Sequence, residues 1–212
     1  MQKEIIKAVE DAIRATQSLK TKEALEFIEV AAHVIADAFK KGNKLIIAGN
    51  GGSLCDAMHF AEEFTAFFRK KRKALPAIVL SEVGHMTSVS NDEGFEEVFA
   101  RGVEAFGKTD DVFIALTTSG NSDNLIKALK RAKSLNLKTI SFLGKTGGAM
   151  LGLSDVEWVV KGFNTSDRIQ EVQMAGVHIL IEMVEKLLFT EGDLTLHKKA
   201  QKELLSGMAQ SV

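Results

Sequence analysis

Five short runs of nearly continuous apolar residues constrain this chain more than any other feature. They are Lys44-Leu45-Ile46-Ile47-Ala48-Gly49, Ala77-Ile78-Val79-Leu80, Val112-Phe113-Ile114-Ala115-Leu116, Lys138-Thr139-Ile140-Ser141-Phe142-Leu143 and Val156-Glu157-Trp158-Val159-Val160. Each has the length of a strand, and stretches with helical spacing separate them. Strands that are apolar on both faces belong in a parallel sheet with helices packed on both sides. The expectation is an α/β fold of three layers, with a five-stranded parallel sheet flanked by helices.

The apolar spacing predicts two helices before the first strand, at 2–19 and 22–40, with Gly42 ending the second in a left-handed conformation. Further helices are expected at 53–68, after Gly94, at 122–136 and at 167–189, and a last amphipathic stretch at 193–206. This divides the chain into one domain, 1–190, made of a helical pair (1–41) and a sheet-and-helix body (42–190), followed by a helical extension at 191–212. With one proline and no Ser/Gly tract among 212 residues, no interdomain linker is evident. A net charge of −1 gives no basic excess for nucleic acid. Cys55 is the only cysteine, so no internal disulfide can form. The start, Met1-Gln2-Lys3-Glu4, lacks the apolar core of a signal peptide, and no apolar run approaches the roughly 20 residues of a membrane span. A cytoplasmic protein is expected.

In parallel sheets of this kind ligands bind beyond the carboxyl ends of the strands. The first strand is followed by Gly49-Asn50-Gly51-Gly52-Ser53 at the mouth of a helix. Glycines let backbone approach an anion, and a helix N-terminus presents free N–H groups and a partial positive charge. The third strand is followed by Thr117-Thr118-Ser119-Gly120-Asn121-Ser122, again at a helix mouth. Four hydroxyls and an amide exceed what a helix cap needs. Neither loop carries the lysine of a nucleotide-binding P-loop, so a sugar phosphate is the expected ligand. Ser53, Ser119 and Ser122, the Thr118 hydroxyl and the backbone N–H groups of Gly51, Gly52 and Asn121 are the candidate phosphate contacts.

His59 and Glu63 stand four apart on the helix behind the first loop and share one face. Such a pair can ligate a metal, place a base beside an imidazole, or simply sit on the surface. Gln170 and His178 lie on the last long helix, separated by a rise of about 12 Å, so their side chains converge on one point only by reaching inward from both sides. His178, inside Val177-His178-Ile179-Leu180, also fits a buried structural histidine. A carboxylate and an imidazole together suit the two proton transfers of an aldose–ketose isomerisation.

The two loops resemble the signature loops of the SIS (sugar isomerase) fold. Cys55-Asp56-Ala57-Met58-His59-Phe60-Ala61-Glu62-Glu63, Ser90-Asn91-Asp92, Asp167-Arg168-Ile169-Gln170-Glu171 and Val177-His178-Ile179-Leu180 are similar to the phosphoheptose isomerase branch, from about residue 1 to 189. The resemblance implies conversion of sedoheptulose 7-phosphate to D-glycero-D-manno-heptose 7-phosphate, the first step toward nucleotide-activated heptose for cell-surface glycans such as lipopolysaccharide core. It implies Glu63 and His178 as catalytic, with Asn50, Gly51, Gly52, Ser53, Asn91, Asp92, Thr117, Thr118, Ser119, Ser122, Asp167 and Gln170 around the sugar phosphate. It implies one zinc per subunit on His59, Glu63, Gln170 and His178, and a homotetramer. Other members of the SIS fold isomerise other phosphosugars, such as hexose 6-phosphates. Some are regulators, one of which binds the bacterial replication initiator. Those regulators generally lack the acid–base set that His59, Glu63, Gln170 and His178 complete here.

Two positions depart from the branch: Phe67 stands where relatives often carry arginine, a charge that Arg69 can supply, and Gln173 where they often carry histidine. The run Arg69-Lys70-Lys71-Arg72-Lys73 reads as a solvated loop, with a phosphate or partner contact as the alternative. His33 and His197 read as structural or exposed. A structural role and a place at the site are both open to His85, and Cys55 faces either core or site.

Overall fold

The computed structural model describes residues 1–189, so the amphipathic stretch expected at 193–206 and His197 lie outside the described residues. The elements are α1 (Gln2–Gln17), α2 (Lys22–Lys40), β1 (Leu45–Gly49), α3 (Gly52–Thr65), β2 (Ala77–Val79), α4 (Val83–Asp92), α5 (Val98–Phe106), β3 (Val112–Leu116), α6 (Asp123–Ser134), β4 (Lys138–Gly144), β5 (Val156–Val160) and α7 (Ser166–Leu188). The five strands form one parallel sheet in the order β2-β1-β3-β4-β5, as expected. No helix among the described residues is long and apolar enough to cross a membrane.

Successive residues of each strand face opposite sides of a sheet. Leu45 and Ile47 of β1, Ile114 of β3 and Phe142 of β4 join one buried cluster with α2, α3 and α7. Ile46, Phe113 and Leu143 join a second cluster with α5 and α6. β1 and β3 are buried along their whole length because both faces carry helices, which is why they read as unbroken apolar runs. Each fully buried large side chain stabilises the fold by about 1.5–3 kcal/mol.

Gly42 has φ +81 after α2, the left-handed ending its position predicts. α4 is absent from the sequence reading. Its sequence, VGHMTSVSND, has no buried residue and weak helix formers. It is started from outside by Glu82, whose carboxylate accepts from the N–H groups of Gly84 at 2.9 Å and His85 at 2.5 Å. α1 lies on α7 but buries only Ala15, leaving Ile5, Ile6, Val9 and Ile13 more than half exposed.

The chain order reverses between β1 and β3, which are neighbours in register, Gly49 opposite Leu116. This switch point opens a crevice at the carboxyl edge of the sheet, and the two glycine- and hydroxyl-rich loops leave from it. The loop after β3 is pressed against the loop after β4: Gly120 has φ +68, and a Cβ there would lie 1.9 Å from the Gly147 carbonyl oxygen. Alanine at this position combines a left-handed backbone with a collision against backbone. Gly120→Ala is expected to cost at least about 2 kcal/mol, a fall in Tm of about 4–8 °C for a chain of this size, read by circular dichroism on heating. An unchanged Tm would show that the two loops are not locked together.

Candidate active site

α3 begins at Gly52, and Gly51 before it has φ +55, a turn that aims the first N–H groups of the helix out of the sheet edge. Ser53 is buried at 3% exposure. α6 begins after Ser122, whose side chain caps nothing. Among the described residues neither the Ser53 nor the Ser122 hydroxyl has a hydrogen-bond partner, so both are available to an anion between the two helix mouths.

Other loop residues hold the loops themselves. The side-chain amides of Asn50 and Asn124 donate to each other reciprocally at 2.9 Å, joining the first loop to α6. The Thr117 hydroxyl accepts from the N–H groups of Ser119 at 3.3 Å and Gly120 at 3.2 Å. The Ser119 hydroxyl accepts from Asn121 N–H at 3.2 Å. Thr118 Oγ1 lies 3.2 Å from Ser166 Oγ at the start of α7. Asn50 and Thr117 therefore shape the cradle, while Ser53, Thr118, Ser119 and Ser122 supply hydroxyls at its surface.

Helix α7 runs parallel to α3 and passes the first loop at Gln170. A Cβ on Gly52 would fall 2.5 Å from Gln170 Nε2 and 2.9 Å from Oε1, so the carboxamide occupies the space a side chain would take. Two turns further, His178 reaches the His59–Glu63 pair. His59 Nε2 lies 3.2 Å from Glu63 Oε1 and 3.5 Å from His178 Nε2. The three ligand atoms all lie within 4.8 Å of one another. Phe68 stacks on the His178 ring, with centroids 5.7 Å apart and planes 22° apart, and the Arg69 guanidinium covers Phe68 at 4.9 Å. Burial, and then the charge of nearby His59, hold the His178 imidazole below the ordinary histidine range.

This arrangement fits a metal ion. Donors at about 2.0–2.1 Å around a tetrahedral zinc stand about 3.3 Å apart, close to the 3.2 and 3.5 Å found here. Two imidazole nitrogens that face each other also need a cation, or a proton on only one of them. One turn before His59, Asp56 has a buried Oδ2 without a partner, and burial raises its carboxyl pKa.

The remaining expected site residues make no hydrogen bond to His59, Glu63, Gln170 or His178 among the described residues. Asn91 and Asp92 end α4, where Asn91 Nδ2 donates to Asp92 Oδ1 at 2.8 Å. Asp167 is exposed at the first turn of α7, its carboxyl held low by the Thr165 hydroxyl and then by the Arg168 N–H. His85 does not turn to the crevice, because its Nε2 lies 2.9 Å from the Val98 carbonyl oxygen. His33 and Cys55 are exposed.

Two structural roles escaped the sequence. Gln173 is fully buried and donates from Nε2 to the carbonyls of Thr117 at 3.1 Å and Leu143 at 3.2 Å, tying α7 to the ends of β3 and β4. The basic run is an exposed loop at Arg69, Lys70, Lys71 and Lys73, as expected, but Arg72 within it is 6% exposed. It caps the end of α3, with Nη2 donating to the Glu63 carbonyl at 2.7 Å and Nη1 to that of Phe64 at 2.8 Å.

The comparisons agree with this geometry. The family model described as "SIS domain" matches residues 9–144. A phosphoheptose isomerase of Fusobacterium nucleatum subsp. nucleatum is 53% identical over 163 residues, covering 77% of this chain and 84% of that protein. The solved phosphoheptose isomerase of Francisella tularensis superposes with a TM-score of 0.82 at 32% identity, over 87% of this chain and 98% of that one. That of Neisseria gonorrhoeae gives 0.80 at 30% identity, with the same coverage. The chain belongs to the SIS domain family and, within it, to the phosphoheptose isomerases.

Proposed function

We propose that the protein converts sedoheptulose 7-phosphate to D-glycero-D-manno-heptose 7-phosphate, as a cytoplasmic enzyme at the start of the route to activated heptose for surface glycans such as lipopolysaccharide core. One observation carries the reading: a carboxylate and two imidazoles meet about two turns beyond an anion cradle, in one crevice. Along α3 the rise from Ser53 to His59 is about 9 Å. That length suits an extended seven-carbon sugar whose reacting carbons lie beside His59 and His178 while its phosphate rests on Ser53, Ser119 and Ser122.

Isomerisation moves one proton between C1 and C2 and another between the two oxygens. Glu63 Oε1 faces His59, which leaves Oε2 for the carbon-bound proton. His178, kept neutral by burial, can take a proton at Nε2 from one oxygen and return it to the other. Phe68 holds its ring in one plane. Asp92, Asn91 and Asp167 orient sugar hydroxyls from the rim, and Gln170 meets the sugar from its seat on Gly52.

His59, Glu63 and His178 would instead hold a zinc ion, with the Gln170 carboxamide as the fourth and weakest donor; this role competes with the proton transfers, because a carboxylate or Nε2 bound to the ion is a poorer proton carrier. Such an ion would act as a Lewis acid toward the sugar carbonyl. A neutral amide adds little to the affinity, so the ion would be readily lost.

The exposed apolar stripe of α1, Ile5, Ile6, Val9 and Ile13, supports a homotetramer in which neighbouring chains cover this face and complete the rim of each site.

Glu63→Gln and His178→Ala are each expected to lower kcat by at least about 10²–10⁴-fold with an unchanged circular dichroism spectrum. Near-normal turnover of sedoheptulose 7-phosphate by either variant would refute the acid–base assignment, and faster turnover of a hexose 6-phosphate by the wild type would reassign the substrate. Dialysis against a strong chelator should abolish activity and added zinc restore it; full activity in zinc-free protein would take the metal out of the reaction. Light scattering at micromolar concentration should give four chains, and a monomer would contradict the assembly.

A further inference from the structure

The basic segment after α3 contains a residue that bonds both of the helices bearing the His59–Glu63–His178 cluster. The side chain of Arg72 is 1% exposed. Its Nη2 donates to the Glu63 carbonyl at 2.7 Å, and its Nη1 to those of Phe64 at 2.8 Å and Lys73 at 3.1 Å. Carbonyls at a helix C-terminus lack intrahelical partners and carry partial negative charge, so a guanidinium there satisfies and neutralises them together. The other edge of the same group faces a different helix: Nε donates to Glu185 Oε1 at 2.6 Å. Arg72 thus clasps the end of α3, at the backbone of Glu63 itself, to α7 two turns beyond His178. It touches none of the ligand atoms.

We propose that Arg72 is a positioning residue that sets the separation of His59 and Glu63 on α3 from His178 on α7. The inference rests on the isomerase reading of that cluster. Among the described residues the guanidinium is the only linker between the helices at this end that bonds both backbone of one and side chain of the other. A lysine keeps the charge but not the fork of donors. Removing both Arg72 and Glu185 leaves no unpaired buried charge, a replacement that often leaves stability unchanged. Stability and positioning can therefore be separated.

The test compares wild type, Arg72→Lys and the double variant Arg72→Met/Glu185→Met in steady-state kinetics with sedoheptulose 7-phosphate. Zinc affinity is measured in parallel by competition with a chromophoric chelator. The double variant is expected to lose about 10- to 100-fold in kcat, with KM nearly unchanged and zinc bound about 10-fold more weakly. Arg72→Lys should fold normally and show the same losses in smaller degree. Wild-type kcat and zinc affinity in a folded double variant would overturn the proposal; if that variant does not fold, wild-type values in Arg72→Lys would do so. If the wild type proves inactive on the heptulose phosphate, the isomerase reading fails and zinc affinity alone decides the role of Arg72. A wild type that neither turns over this sugar nor binds zinc removes the cluster as a site, and this role with it.

Discussion

Gly52 has no side chain, and the carboxamide of Gln170 occupies the place where one would be. That close approach lets α7 lie along α3 from the first loop onward. The contact then repeats up the helix pair: His178 against His59, and Glu185 against the arginine that caps α3. The rise per residue is the same in both helices, so residues eight apart on α7 meet residues about seven apart on α3. The first loop and the His59–Glu63–His178 cluster are thereby held at a fixed distance. The sheet supplies the other coordinate, since the reversal of strand order between β1 and β3 places two helix N-termini side by side.

The loops show how polar residues divide between building and binding. Asn50, Asn124 and Thr117 direct their side chains to other loop atoms, and Gln173 ties α7 to two strand ends. Ser53 and Ser122 keep free hydroxyls beside the helix mouths. A cradle whose shape is fixed by its own hydrogen bonds loses little conformational freedom when an anion arrives. The same logic holds at the His59–Glu63–His178 cluster, where Phe68 restrains the His178 ring.

The sheet was legible because its strands are buried on both faces, which writes them into the sequence as apolar runs. The two loops were legible because glycine and hydroxyl residues gather there beyond what turns need, and the His59–Glu63 pair because i, i+4 spacing is local. What stayed hidden depended on distant partners. Arg72 sits in a run of five cations and looks solvated; its burial is decided by Glu185, 113 residues away. α4 has no apolar stripe and rests on the cap from Glu82. Gln173 stood out in the sequence only as a departure from the family, and its partners are the ends of β3 and β4, 56 and 30 residues away. The expected grouping of Gln170 with the two histidines rested on resemblance; local to the sequence is only its place on the last helix, and its seat against Gly52 depends on the first loop, more than 100 residues earlier.

The central claim is that one crevice holds the phosphate at the helix mouths and the reacting carbons between Glu63 and His178. A crystal structure of the Glu63→Gln variant with sedoheptulose 7-phosphate tests it most directly. The account predicts the phosphate on the hydroxyls of Ser53, Ser119 and Ser122 and the N–H groups of Gly51 and Gly52, with C1 and C2 beside residue 63 and His178. A sugar phosphate bound with its phosphate elsewhere, or with its reacting carbons away from His178, would contradict it.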